Sequence, residues 1–279
     1  MRVIRPSTTR RALIRLAPTL AAATLLVPAA WALSRPDGGG APERLPDLDQ
    51  ELPSRLVIER ARPSARATWR LGFRSAVSNV GDGPLIIDAR RPSRQDRLMA
   101  ADQVIERDGA PRAVVTDVGR LRYVRSADHQ HWHLLGFERY ELRRPGSRRA
   151  VVSDRKSGFC LGDRYEAAAG ELPARPPSPV YTSRCGLQRP GLIGIREGIS
   201  VGYGDDYAAM LEGQWLPLDG LRAGRYVLVH QVNAERALRE RSYGNNSASL
   251  LLRLRWIDGA PRIGILAECP DAARCPAGR

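Results

Sequence analysis

Leu71-Gly72-Phe73-Arg74-Ser75-Ala76-Val77, then the turn Asn79-Val80-Gly81-Asp82-Gly83-Pro84, then Leu85-Ile86-Ile87: this stretch decides how the chain folds. Every second residue of a strand shares one face, so the alternation reads as a half-buried strand. The Asn/Gly/Asp/Pro cluster supplies the residues that reverse it. Working outward, the same pattern recurs in Leu56-Val57-Ile58-Glu59, Val114-Val115, Leu121 to Val124 and Phe137-Glu138-Arg139-Tyr140-Glu141-Leu142. Val151-Val152, Tyr226 to Val229 and Leu250 to Leu254 extend the series, and no long amphipathic helix interrupts it. Many short strands punctuated by Gly and Pro predict an all-β protein with a β-sandwich core. Residues 163–213 are poor in strand pattern and are expected to form long irregular loops that carry the site.

The amino-terminal 32 residues stand outside that fold. Arg2, Arg5, Arg10, Arg11 and Arg15 precede an apolar run, Leu16 to Trp31, that ends in Ala30-Trp31-Ala32. A basic region, an apolar region and an A-x-A site predict a secretory signal peptide at 1–32, with Arg10-Arg11 resembling a twin-arginine signal. An uncleaved anchor is the alternative, but the run is short for a span of about 20 residues. Residues 33–45, rich in Pro and Gly, read as a linker. Without the signal, 39 basic residues face 30 acidic ones, a charge of about +9. Such a surface favours anionic partners such as cell-wall polymers, anionic lipids or acidic proteins, and export leaves nucleic acid off the list. The four cysteines are an even number in an oxidising compartment. Nearest-neighbour pairing, one of three connectivities, gives Cys160–Cys185 and Cys269–Cys275.

Three of the chain's four histidines fall in Asp128-His129-Gln130-His131-Trp132-His133. At i, i+2 and i+4 on a strand, their imidazoles point to one face, and clustered imidazoles suit copper or zinc. A flat strand would hold the outer two roughly 13 Å apart at Cα, so a bend or bulge is expected here. The remaining histidine, His230, lies in a strand pattern and reads as a satisfied or exposed strand residue.

Lys156, in Lys156-Ser157-Gly158-Phe159-Cys160-Leu161, is the only lysine among 44 basic residues. An ammonium can lose its proton and act as a nucleophile; a guanidinium cannot. Two further stretches stand out: Gly198 to Tyr207, running on to Gln214-Trp215, and Gly224-Arg225-Tyr226-Val227-Leu228, running on to Tyr243-Gly244-Asn245-Asn246-Ser247.

Together these stretches resemble the lysyl oxidase family, copper-dependent amine oxidases of peptidyl lysine. The histidine segment is similar to the family's HQHYH copper motif, with Trp132 in the tyrosine's place. Lys156 to Leu161 is similar to its KASFCL segment, and Tyr207 falls where the family has its cofactor tyrosine. The turn after Leu71 looks like the start of the domain in microbial members. Where the vertebrate motif carries a further histidine and a cysteine, this chain has Ser126 and Asp128. The likeness runs from about Leu45 to Leu254 and implies a catalytic domain at 46–258, followed by a tail at 259–279 with a disulfide loop.

The resemblance implies that His129, His131 and His133 bind copper and that Lys156 and Tyr207 form a lysine tyrosylquinone cofactor. Copper beside Tyr207 would lower the phenol's pKa, and nearby positive charge, from Arg155 or the metal, would favour the neutral amine of Lys156. Asp205 matches a family carboxylate and is the candidate base. The implied activity is oxidative deamination of primary amines, such as lysine side chains of extracellular proteins or cell-wall amines, to aldehyde, hydrogen peroxide and ammonia. Two rivals need neither Lys156 nor Tyr207. One is a non-catalytic extracellular metal-binding interaction module; the other is a zinc hydrolase on the three histidines.

Overall fold

A computed structural model describes residues 41–60, 69–126, 129–154 and 158–276. The expected signal segment, most of the expected linker, and Arg155, Lys156 and Asp128 lie outside the described residues. In chain order the strands begin with β1 (Glu43–Arg44), β2 (Leu48–Gln50), β3 (Ser54–Arg60), β4 (Trp69–Asn79), β5 (Leu85–Arg90) and β6 (Leu98–Arg107). Next come β7 (Ala113–Tyr123), β8 (Trp132–Leu134), β9 (Glu138–Arg143), β10 (Ala150–Ser153), β11 (Tyr165–Glu166) and β12 (Gly194–Ile199). The last are β13 (Tyr203–Tyr207), β14 (Trp215–Pro217), β15 (Gly224–Val232), β16 (Ser247–Ile257) and β17 (Ala260–Cys269).

The protein is all-β, as the alternation predicts. One sheet runs β12-β5-β6-β7-β8 with β1 on β6, and a second runs β10-β9-β15-β16-β17. A third is built on β4, which pairs with β13 and β14 as well as β2 and β3, while β11 pairs with β13. Strand β4 is long enough, and apolar enough on its buried face, to serve this many neighbours along its two edges. Its Leu71, Phe73 and Val77 join Leu85 and Ile87 of β5, Tyr140 and Leu142 of β9, and Leu250, Leu252 and Leu254 of β16 in one core. Removal of this apolar surface from water is the main force holding the sheets together. Among the described residues, no helix is long and apolar enough to cross a membrane.

Two segments differ from expectation. Residues 163–213 are not loops throughout: β12 pairs with β5 at six positions and β13 with β4 at four. Both strands add to edges that stronger strands have already formed, so sheet context overrides their weak local propensity. The segment expected as a carboxy-terminal tail contains β17, which pairs with β16 from Ile257↔Ala260 to Ser249↔Cys269. The cysteines pair as nearest neighbours, Cys160–Cys185 and Cys269–Cys275, and none is free.

Candidate metal centre and its tyrosine

The histidine segment enters strand β8 only at its end. Trp132 and His133 pair with Tyr123 and Arg122 of β7, while His129 and His131 precede the strand in a bent stretch. That stretch is held from both sides. Val124 N–H donates to His131 O at 2.9 Å and Ser126 N–H to His129 O at 2.8 Å. From the other side, Trp132 N–H donates to Cys185 O at 2.9 Å and Gln188 N–H to Gln130 O at 2.7 Å. The expected bend is therefore present, and it does what a flat strand cannot. Ring centroids of His129 and His131 lie 4.9 Å apart, His129 and His133 5.3 Å, and His131 and His133 4.7 Å. One nitrogen from each ring falls within 4.8 Å of the others, the one such His/Cys/Asp/Glu group among the described residues. His133 and His129 are buried. Three converging imidazoles suit a borderline cation such as copper or zinc.

Trp132 faces the other way, as the alternation demands. It is buried, with the Arg91 guanidinium 4.7 Å over its ring and its indole N–H donated to Arg189 O at 3.3 Å. Arg91 in turn donates to the carbonyls of Leu192, Asp96 and Pro190, which fastens the loop that flanks the histidines.

Tyr207, at the end of β13, comes against this cluster. Its ring stacks on His129 with centroids 5.9 Å apart and an interplanar angle of 16°, and Phe159 meets it edge-on at 4.9 Å. The phenol oxygen accepts the backbone N–H of Cys160 at 2.7 Å. Burial pushes the phenol's pKa well up and Asp205 adds to the effect, with the Cys160 N–H opposing both. The Tyr207 contact thus reaches the segment that follows Lys156 by four residues. Gly158 sits between them at φ +111°, where a Cβ would lie 2.4 Å from Leu134 O. Only glycine allows the Phe159–Leu134 backbone pair, whose two hydrogen bonds are 2.8 and 3.0 Å long.

Asp205 is buried on the same face of β13 as Tyr207, and Arg164 Nε lies 3.7 Å from its Oδ1. The structure thus brings together His129, His131, His133, Tyr207 and Asp205, while Lys156 lies outside the described residues. A cavity of about 440 Å³ opens beside them, lined by His129, His131, Cys160, Arg164, Arg184, Leu187, Asp205, Asp206, Tyr207 and Leu211.

His230 lies in a different cluster. It is fully buried, and its Nε2 is 3.0 Å from Ser75 Oγ and 3.1 Å from Glu138 Oε2. Tyr140 and Ser75 each donate a hydroxyl to Glu138 Oε2 at 2.5 Å. Burial pushes the Glu138 carboxyl up, but the His230 ring and the two hydroxyls outweigh it and hold its pKa below the usual range. One ring nitrogen faces both Ser75 and Glu138, so this is not a Ser-His-Glu relay, which needs the two nitrogens separately. His230 is therefore a buried strand histidine satisfied at Nε2, while its Nδ1 has no hydrogen-bond partner among the described residues.

Sequence reading missed Glu197 and Arg184. Glu197 on β12 is fully buried, accepts Leu161 N–H at 3.3 Å, and burial raises its carboxyl pKa well above the usual range. Its signal was a lone acid inside a segment read as loop. Arg184 carried no signal of its own beyond its place next to Cys185.

The fold and site define an all-β protein with a buried three-histidine cluster backed by a stacked tyrosine. The chain belongs to the lysyl oxidase family, whose model matches residues 88–256. It is 29% identical over 119 residues to protein-lysine 6-oxidase of Rattus norvegicus, covering 42% of this chain and 25% of the relative. The Sus scrofa protein of the same name is also 29% identical, with 41% of its length covered. Lysyl oxidase homolog 1 of Homo sapiens is 27% identical over 122 residues, 42% of this chain and 18% of that protein. The matched stretch thus spans less than half the length of each of these relatives.

Proposed function

We propose that the chain is an exported copper-dependent amine oxidase that converts primary amines, peptidyl lysine foremost, to aldehydes with release of hydrogen peroxide and ammonia. The observation that carries this reading is the placement of Tyr207, stacked on His129 with its hydroxyl tied to the backbone of Cys160. A structural tyrosine needs no such position against a metal-ligand triad. His129, His131 and His133 hold the copper, and Lys156 and Tyr207 together provide the lysine tyrosylquinone. When formed, that centre supplies the electron sink for a two-electron amine oxidation, with dioxygen as the final acceptor.

The other residues position and move protons. The Cys160 N–H fixes the Tyr207 oxygen, and the Cys160–Cys185 disulfide ties that backbone to the loop bonded to Trp132. Asp205, on the same strand face as Tyr207, is the base that removes the proton from the substrate's α-carbon. Its burial keeps water from competing for that proton. The disulfides and the basic amino-terminal signal support export. The basic surface supports contact with anionic envelope material.

The test is peroxide release by copper-loaded, aerobically matured chain supplied with a lysine peptide. Lys156→Arg is expected to keep copper and fold while losing all turnover, because guanidinium cannot replace the amine. A wild type that releases no peroxide from any primary amine, or a fully active Lys156→Arg, overturns the reading.

A further inference from the structure

The histidine segment has a reverse side, because Gln130 and Trp132 alternate with its three ligand candidates. Trp132 lines a pocket of about 390 Å³ and Gln130 one of about 540 Å³, and the two share Tyr123, Arg125 and Pro190. Sharing that wall, they make one groove. Arg94 and Arg97 enter it from the loop between β5 and β6, Arg122 from β7 and Arg125 from just beyond that strand. All four are exposed, and none has an ion pair among the described residues. The buried Arg91 adds a fifth charge, its guanidinium bonded to carbonyl oxygens and to no carboxylate. The one carboxylate in the lining, Asp96, is already engaged: its Oδ2 accepts the Ser93 N–H at 3.0 Å and the Ser93 hydroxyl at 2.9 Å. Positive charge therefore prevails here by a wide margin.

The shape and lining narrow the partner. Guanidinium groups arriving from two elements surround a tetrahedral phosphate from several sides, whereas one planar fork already serves a carboxylate. No large aliphatic side chain lines the groove, so a folded protein finds no apolar anchor. Trp132 is buried, and Tyr123 has Arg125 over its ring and Trp132 against its edge, so nucleic-acid bases find no stacking platform. We propose that this groove binds a linear phosphate-bearing polymer of the cell envelope, with successive phosphates on Arg94, Arg97, Arg122 and Arg125. This gives a place and a chemistry to the anionic contact proposed above; it rests on that contact and not on amine oxidation.

Fluorescently labelled linear polyphosphate, followed by anisotropy with copper-loaded full chain, tests it without turnover. Replacing the four exposed arginines by glutamine is expected to weaken binding on the order of fifty-fold, a few-fold for each exposed contact. With fewer counterions released, the slope of log Kd against log salt should flatten by about three. A matched variant with glutamine at Arg148, Arg149, Arg255 and Arg262 loses the same charge from exposed positions outside the groove. At physiological salt it should stay within about two-fold of wild type, since distant charges are screened. Equal weakening in the two variants, or no binding by the wild type at low salt, overturns the groove. Tighter binding of poly-glutamate of matched length overturns the choice of phosphate. Peroxide release is read in a separate assay, so a chain that binds polyphosphate yet oxidises no amine loses the oxidase reading alone.

Discussion

Two buried histidine clusters share this core, and they are built on opposite logic. Around His230, each close partner is a donor or acceptor: Ser75, Glu138 and Tyr140 meet within 2.5–3.2 Å. His129, His131 and His133 instead pack ring against ring, with centroids 4.7–5.3 Å apart, and Tyr207 stacks on His129. The first arrangement ties His230 Nε2 into a network of protein donors and acceptors and serves stability, although its Nδ1 has no hydrogen-bond partner among the described residues. The second brings one nitrogen from each ring within 4.8 Å of the others, a spacing that a cation could use. A histidine's burial alone does not say which kind it is; the identity of its neighbours does.

Substitution should separate the two clusters, and the largest effect expected is on metal. His131→Ala is expected to remove the roughly one copper per chain bound by the wild type, measured by elemental analysis after dialysis, with little change in the melting of metal-free protein. His230→Ala should leave copper stoichiometry intact. Loss of copper in both variants would erase the distinction.

Next in size is stability. Glu138→Ala strips the acceptor from Ser75, Tyr140 and His230 at once, and should cost about 3 kcal/mol or more by denaturant unfolding. His131→Ala in metal-free protein should cost far less. Saturating copper should narrow that difference. At a hundred-fold excess over Kd it adds about 2.7 kcal/mol to the wild type and nothing to His131→Ala.

A smaller effect follows from pH. The folded pKa of Glu138 lies below its unfolded value, so its contribution is present above the ordinary carboxylate range and is lost as pH falls through the folded value. Unfolding titrations should therefore show Glu138→Gln closing part of its stability gap to wild type under acid. A gap that widens with acid would mean that burial prevails over the His230 contact.

Much of this was readable from residue order. Alternation located β4, β5, β9, β15 and β16, because each has a continuous apolar face. The histidine cluster was visible in its spacing, and the disulfides are the nearest-neighbour pairs among the three connectivities that the sequence left open. The site's backing strands were hidden for a physical reason. Gly194, Glu197 and Gly198 in β12, and Gly204, Asp205 and Asp206 in β13, are residues that strands avoid on their own. They become strands by adding to edges of β5 and β4. Gly198 is required there, since a Cβ would lie 2.4 Å from Leu85 O. The Glu138 network did leave a trace. Its carboxylate shares the period-2 face of Tyr140 and Leu142, and a charge on an apolar face marks a buried polar partner.

The central claim is that the triad and Tyr207 form one centre with Lys156. Peptide mapping of copper-loaded, aerobically matured chain tests it most directly. The account predicts a branched peptide joining the segments that carry Lys156 and Tyr207, reactive with carbonyl reagents and missing when copper is withheld or His131 is replaced by alanine. Separate, unmodified Lys156 and Tyr207 peptides from a preparation fully active in peroxide release would contradict it.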